Sequence, residues 1–492
     1  MMDSSKNNLA DSESLLGMLQ RGRGKGYLAA LEAAPEMVWS LLFECVTHDP
    51  RRDKQLEDRA EYYAALMAAT RMDLEPLHRY VVQNDGSDDG PDPLMGLPLG
   101  ALICLVDFVD EEERKETVHR IVRDYISYGR AWKRALQVLA DLDTPKDVEQ
   151  AVAVACRRIK SDASIYAQFK EYVQEDWREY GRDDEETRAQ CRLFLPICEP
   201  WKTICTQNRE LADLFQGVGI AYNQAPSPRE ELSEESLAGL SLDDLFSLVD
   251  ESNRVVFRQV LPKKISADDK DYLLRQLSTG DPHRMILAFR GLGKLGTPRT
   301  FAAVKTYIEG SENADWMVRL RAVWAIEEMP ASLTLDTARQ WLQRPEHHLQ
   351  SAGGGILAEH ATREDVPWLT EALRTPETLR GEDFRLSGVL AALARFEGFG
   401  WIPELEQVFC QVQNSFRRYL AAKAMAATAP VEFACEYAFE CLWDCDDDTR
   451  ALGCEKVSPS TPGAVERLRE LASDVGEYDD VRQAAQERLK GF

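Results

Sequence analysis

The chain has 492 residues, of which 44% are apolar, which is enough for a continuous core and excludes a chain disordered throughout. Its formal charge of −25 divides into about −12 before residue 231 and about −13 after it, so neither half is a basic domain. Such a field disfavours backbone-gripping nucleic-acid binders and anionic membranes, and it favours a partner with a basic surface.

Met1–Ser14 is polar, carries both charge signs and contains no signal-like apolar segment, and residues 1–19 read as a disordered or poorly ordered N-terminus. Residues 20–222 follow as irregular amphipathic stretches: Met37–Thr47, Leu56–Thr70, Glu111–Tyr128, Arg130–Leu142, Pro145–Ile159, Ile165–Tyr180 and Asp184–Cys198. Thr144-Pro145 is a helix start, an N-cap followed by proline at the first helical position. Apolar runs such as Gly100–Phe108 fall well short of the roughly 20 residues that span a bilayer. Asn84–Pro98, rich in Gly, Asp and Pro, reads as an exposed loop. Residues 223–240, with Ala225-Pro-Ser-Pro228, read as a linker to a second domain over 241–492. The few β-rich runs, such as Val255–Leu261, are short and in helical phase.

The second domain repeats itself. Segments starting at Asp281, Asp315, Asp383, Ser415, Asp447 and Asp479 each place an arginine two to four residues on: Arg284, Arg319, Arg385, Arg417, Arg450 and Arg482. A small residue follows on the same face, at Ala288, Ala322, Gly388, Ala421, Gly453 and Ala485. An apolar residue then completes it, at Leu292, Ile326, Leu393, Met425, Val457 and Leu489. The arginine spacings are 35, 66, 32, 33 and 32, and the interval of 66 hides a further unit, Glu346–Ala358, with Leu349, Ala352 and Ile356 in the three slots. Positions i, i+3 or i+4 and i+7 share one helical face, and a small central residue lets neighbouring helices approach. Amphipathic first helices lie between, for example Pro298–Ile308, Leu335–Leu342, Glu364–Leu373 and Pro462–Leu471. A unit this short cannot bury its apolar face alone, so the pattern predicts stacking.

Asp480-Val-Arg482-Gln-Ala-Ala485, and more loosely Trp316-Met-Val-Arg319-Leu-Arg-Ala322, resemble the second helix of HEAT repeats. The resemblance covers about residues 281–492. It implies an all-α fold, an α-solenoid superhelix of HEAT-like helical hairpins, regular in the C-terminal half and diverged in the N-terminal half. It also implies that the six arginines form a hydrogen-bonded ladder between units, with the Glu346 unit lacking its rung. In the N-terminal half, Ala135, Leu139 and Val148 echo the unit, whereas Tyr63 fills the small slot of an Arg59…Met67 echo.

Candidate chemistry is sparse. Cys435, Cys441, Cys445 and Cys454 form the sharpest metal candidate, yet only Cys441-x₃-Cys445 has ligand spacing, and packing explains Cys454. Cys191, Cys198 and Cys205 recur every seven residues, but Pro196 and Pro200 interrupt the helix. Eleven cysteines, odd in number and irregularly spaced, read as free thiols, with Cys104 and Cys156 as core residues, in a cytoplasmic protein. None of the seven histidines sits in a metalloprotease or nucleophile motif. Gly353-Gly-Gly355 lacks the Lys-Ser/Thr of a phosphate loop and reads as close helix approach or local loosening, with a binding indentation as the alternative. Acidic runs Asp110–Glu113 and Asp183–Glu186 read as solvated helix starts or docking patches.

Arg321, Trp324 and Glu328 share a helical face turned away from Val318, Ala322 and Ile326, and in such an array that face lines the concave side. Trp and Arg dominate binding hot spots. The expected function is a non-enzymatic scaffold or adaptor that holds a protein on an acidic concave surface, with no cofactor and no metal. HEAT-like folds also include DNA glycosylases for alkylated bases, disfavoured by the charge, and bilin lyases. Those enzymes are the alternative expectation.

Overall fold

A computed structural model describes residues 9–51, 57, 59–84, 96–109, 112–128, 239–249, 260–310, 315–374 and 385–491, with single positions 135, 154 and 237. All regular structure among them is helical. By its contacts the chain divides into two units, one of residues 1–230 with 443–445, the other of residues 231–442 with 446–492. The expected helices between Arg130 and Cys198, the cysteines Cys156, Cys191, Cys198 and Cys205, and residues 223–236 of the expected linker lie outside the described residues, apart from positions 135 and 154.

The first unit begins with α1 (Leu15–Arg21), inside the stretch expected to be poorly ordered. The Ser14 hydroxyl accepts from the Gly17 amide, and Gly22 closes the helix at φ 66°, a left-handed conformation that suits glycine. Then follow α2 (Gly24–Glu32), α3 (Pro35–Thr47), α4 (Ala60–Ala69), α5 (Glu75–Asn84), α6 (Leu97–Leu105) and α7 (Glu112–Tyr128). Leu19, Leu42, Leu66, Leu77, Leu102 and Ile121 meet in their shared core. Tyr63, the oversized residue in the small slot, is fully buried, and its hydroxyl donates to the Leu19 carbonyl (2.9 Å). Its neighbour Tyr62 does the same to Arg23 (2.8 Å). Two phenols thus tie α4 to the chain around α1, where the regular unit uses an alanine. Cys45 is core, and burial pushes its thiol up to about 12, while Cys104 is only half-buried.

The second unit opens with α8 (Leu242–Leu248), capped by a reciprocal Ser241–Asp244 box. Helix pairs follow: α9 (Lys270–Gln276) and α10 (Pro282–Leu295); α11 (Pro298–Glu309) and α12 (Trp316–Glu327); α13 (Ala331–Trp341) and α14 (His347–His360). Next come α15 (Val366–Ala372) and α16 (Leu386–Leu393), then α17 (Pro403–Gln411) and α18 (Ser415–Thr428). Short helices α19 (Pro430–Glu436) and α20 (Ala438–Cys441) precede α21 (Asp447–Lys456), and α22 (Ala464–Ser473) precedes α23 (Asp479–Lys490). Each second helix packs on its own first helix and on the second helices before and after it. Ala288, Ala322, Ala352, Ala421 and Ala485 are fully buried at the slot where those helices meet. Leu292, Ile326, Ile356, Leu393 and Met425 fill the apolar slot, each contributing roughly 1.5–3 kcal/mol over an exposed side chain.

The caps correct the expected helix starts by one residue in places. Asp281 and Asp315 accept the first amides of α10 and α12. In α18 the cap is Asn414, with Ser415 buried inside the helix, and in α21 it is Asp446. Asp479 lies within the first turn of α23, where the helix dipole favours it. Adjacent carboxylates are near-equal caps, so chain geometry selects among them.

Candidate functional site

Asp315 starts α12 so that Arg321, Trp324 and Glu328 fall on one side of it. The Arg321 guanidinium lies over the Trp324 ring, 3.9 Å from its centroid, and Trp324 remains 42% exposed. This cation–π contact pre-orders an aromatic face at the surface. Glu328 instead pairs with Arg290 of α10, spanning two units. Trp316, at the start of the same helix, is also exposed.

The same register positions line a groove of about 720 Å³ between α18, α21 and α23. With the repeat arginine of each helix as zero, Arg321 and Trp324 stand at +2 and +5 from Arg319. Tyr419, Leu452 and Ala484 stand at +2 in the groove helices. Glu455 and Glu487 are at +5, and Lys423, Lys456 and Arg488 at +6. One helical stripe, repeated, therefore supplies both the exposed aromatic of α12 and the walls of the groove. Asp448 and Asp480, in the first turns of α21 and α23, close one end. Partial burial, then the charges of Asp447 and Asp480, hold the Asp448 carboxyl above its usual range, and Lys423 opposes them.

The ladder arginines do not act alike. Arg450 reaches Glu477 through two bonds, Nε to Oε2 (2.9 Å) and Nη2 to Oε1 (2.6 Å), both side chains nearly buried. Arg284 lies 3.7 Å from Asp281 of its own helix start, and Arg482 pairs with Asp479 likewise. Arg319 stands beside Tyr307 and Asp315. Arg385 begins α16 with its carbonyl beside Gly354, and the Arg417 amide donates to Asn414.

Cross-unit polar links also run through residues that sequence reasoning missed. On the first helices, Trp341 donates to Glu309 (3.0 Å), Arg339 pairs with Asp365 (2.7 Å), Arg374 with Glu404 (2.7 Å), and the Tyr437 hydroxyl donates to Glu406 (2.5 Å). At the ends of the second helices, His360 donates to the Glu327 carbonyl (3.0 Å) and Arg395 to that of Ala358 (3.2 Å). Arg488 donates to the Val457 carbonyl (3.0 Å). Each donor thus caps the last carbonyls of the preceding second helix, where the dipole is negative. The available signal was the placement of basic residues in or just beyond last turns.

The three glycines of α14 face three neighbours, as a 100° rotation per residue requires. A Cβ on Gly353 would meet the Ala338 carbonyl of α13 at 2.8 Å. Gly354 lies backbone to backbone against Gly388 of α16, and the Glu327 carboxylate of α12 occupies the space a Cβ on Gly355 would take. Close approach is therefore what these glycines provide. Burial, and then the charge of Glu359, push the Glu327 carboxyl up to about 7.

Among the cysteine candidates, Cys441 and Cys454 are buried, Cys435 is exposed, and Cys445 is half-buried and groups with the first unit. Burial pushes the Cys454 thiol up to about 12, and among the described residues no three His, Cys, Asp or Glu side chains converge as a metal set. His78 pairs with Asp124 (2.9 Å) and His348 donates to the Ile308 carbonyl (3.2 Å), both contacts between helices. Among the described residues no helix is long and apolar enough to cross a membrane.

In comparison with known families, residues 235–341, from before α8 through α13, are similar to the vitellogenin TPR domain. No curated protein matches the chain. The matched stretch and the helical architecture place this region among helical-repeat proteins, without singling out the HEAT kind.

Proposed function

We propose that the chain is a HEAT-like α-solenoid that works as a non-enzymatic scaffold, holding a protein with a basic surface along the exposed stripe of its second helices. The observation that carries this reading is a recurring register: +2 presents Arg321 on α12 and lines the groove on α18, α21 and α23, while +5 presents Trp324 on α12 and lines the groove on α21 and α23. A face repeated at about 30-residue intervals suits an elongated macromolecular surface better than a single small substrate. The pre-ordered Arg321–Trp324 pair supplies a hot spot, and the charge of −25 steers a cationic partner toward it. A cytoplasmic setting accords with the free thiols.

The test is affinity capture from the native host with the full-length chain, beside the double variant Arg321→Glu, Trp324→Ala. One or more basic proteins should be retained by the native chain and lost from the variant while its thermal unfolding is unchanged. Recovery of a metabolite or nucleic acid in place of a protein overturns the reading. Early melting of the variant makes the pair structural and removes it from the binding face.

A further inference from the structure

The groove between α18, α21 and α23 has two unlike ends. At one, two carboxylates and two cations lie together and each has a partner: Lys456 lies 3.5 Å from Glu455, Gln483 donates to Glu487 (3.0 Å), and Arg488 donates to the Val457 carbonyl (3.0 Å). At the other, Asp448 and Asp480 are exposed and have no hydrogen-bond or ion-pair partner among the described residues. Partial burial and then the charges of Asp447 and Asp480 disfavour the ionised Asp448 carboxyl, and Lys423, which lies over the Tyr419 ring 5.6 Å from its centroid, offsets them only in part.

Helix starts favour carboxylates, but that need is already met here, by Asp446 as the cap of α21 and by Asp479 in the first turn of α23. Asp448 and Asp480 are surplus to it, and they come together only because the second helices stack in register 32 residues apart. Between the two ends the floor is apolar, made by Leu452, Ala451 and Ala484. A volume of about 720 Å³ falls within the range of sites that enclose a compact ligand, about 300–1,000 Å³.

We infer that this groove receives a short segment of a partner protein, with one Lys or Arg side chain seated between Asp448 and Asp480 and an apolar side chain lying on Leu452. The inference rests on the protein-binding reading above and adds the site and the chemistry of the segment. A cation at the acidic end relieves the Asp448–Asp480 repulsion, whereas a carboxylate there adds to it, so specificity comes from repulsion as much as attraction. The other end, where Lys456 and Arg488 balance Glu455 and Glu487, is neutral in sum and does not attract a cation as the aspartates do, which gives the segment a direction. Because the acidic end is exposed, binding weakens as salt is added.

The experiment pans a phage-displayed library of random heptapeptides on the immobilised full-length chain. Enriched peptides are then measured by fluorescence anisotropy on the native chain, on Asp448→Asn with Asp480→Asn, and on Arg321→Glu with Trp324→Ala. The expected result is enrichment of one basic residue near an apolar one, with affinity at least tenfold lower on the aspartate variant and unchanged on the α12 variant. Circular dichroism should show that the aspartate variant remains folded. Absence of any enriched pattern, or equal binding by the native chain and the aspartate variant, overturns the inference. Capture of a host protein that depends on Arg321 and Trp324 but not on Asp448 and Asp480 sinks the groove assignment and leaves the scaffold reading standing. Loss of both sinks both.

Discussion

Where α14 meets α16, Gly354 and Gly388 leave no Cβ between them and touch backbone to backbone. Between α18, α21 and α23 the same stacking leaves a groove walled by Tyr419, Lys423, Glu455 and Glu487. Both regions use second helices in the same register. The difference lies in which stripe carries bulk. Where glycines of both helices meet, as Gly354 and Gly388 do, the helices close, and where the outer stripe carries long side chains, as on α18, α21 and α23, these frame an open space. One repeat thereby makes a sealed seam in one place and a recess in another, with no change of fold.

The comparison breaks most readily at the seam. Gly388→Ala puts a Cβ into the Gly354 backbone, which cannot step aside as a flexible side chain would. Denaturant unfolding should show a loss of roughly 3–4 kcal/mol, at the upper end of overpacking costs. Ala451→Leu, a larger addition but into the groove, serves as the contrast below.

Next in size is the nearly buried Arg450–Glu477 bridge. Arg450→Ala leaves the Glu477 carboxylate without its bidentate partner and should cost about 2–3 kcal/mol, somewhat below the loss for a fully buried pair. The paired change Arg450→Met, Glu477→Leu should recover part of that loss in a double-mutant cycle. Equal losses in single and double variants make the charge pairing irrelevant.

Glu327 sharpens the comparison by pH. Its carboxyl fills the notch at Gly355 and titrates near 7 in the folded chain, against an ordinary value of 4.5. Between those values the folded state binds more protons than the unfolded one, so this group makes stability fall as pH rises from about 4.5 to about 7. Glu327→Gln should therefore raise stability by about 1–2 kcal/mol at pH 8 and change little at pH 5. A gain independent of pH places the effect in packing and removes it from ionisation.

The smallest effects belong to the open face. Ala451→Leu, and separately the Arg321→Glu, Trp324→Ala pair, should leave unfolding within about 0.5 kcal/mol, as surface changes generally do. If Ala451→Leu destabilises the chain as much as Gly388→Ala, the groove is a packed interface and the contrast fails.

Helix existence and phase in the second unit were legible because burial imprints a 3.6-residue period, and six copies of Arg–small–apolar with a seventh that has Leu349 in place of the arginine made it unmistakable. Helix starts were less so: Asp446, Asp447 and Asp448 are chemically alike, and only the turn geometry makes Asp446 the cap. The first unit was harder still, because Tyr63 occupies the position where the pattern asks for a small residue, with Tyr62 buried beside it. Their burial with satisfied hydroxyls depends on carbonyls about 40 residues away. The exposed stripe of Arg321 and Trp324 could be read from the helical wheel, but the Arg290 pairing of Glu328 could not, since it joins helices 38 residues apart.

By itself the order of residues determined that the second unit is helical, where its repeat unit begins again, and which stripe of each helix is inward, because those follow from local periodicity and burial. Only the tertiary structure decided which charges meet. Asp448 beside Asp480, Glu327 in the notch of Gly355, and Gly354 against Gly388 are all pairings of distant residues. They are set by how closely successive helices approach, a quantity governed by the side chains of both partners together and by neither sequence segment alone.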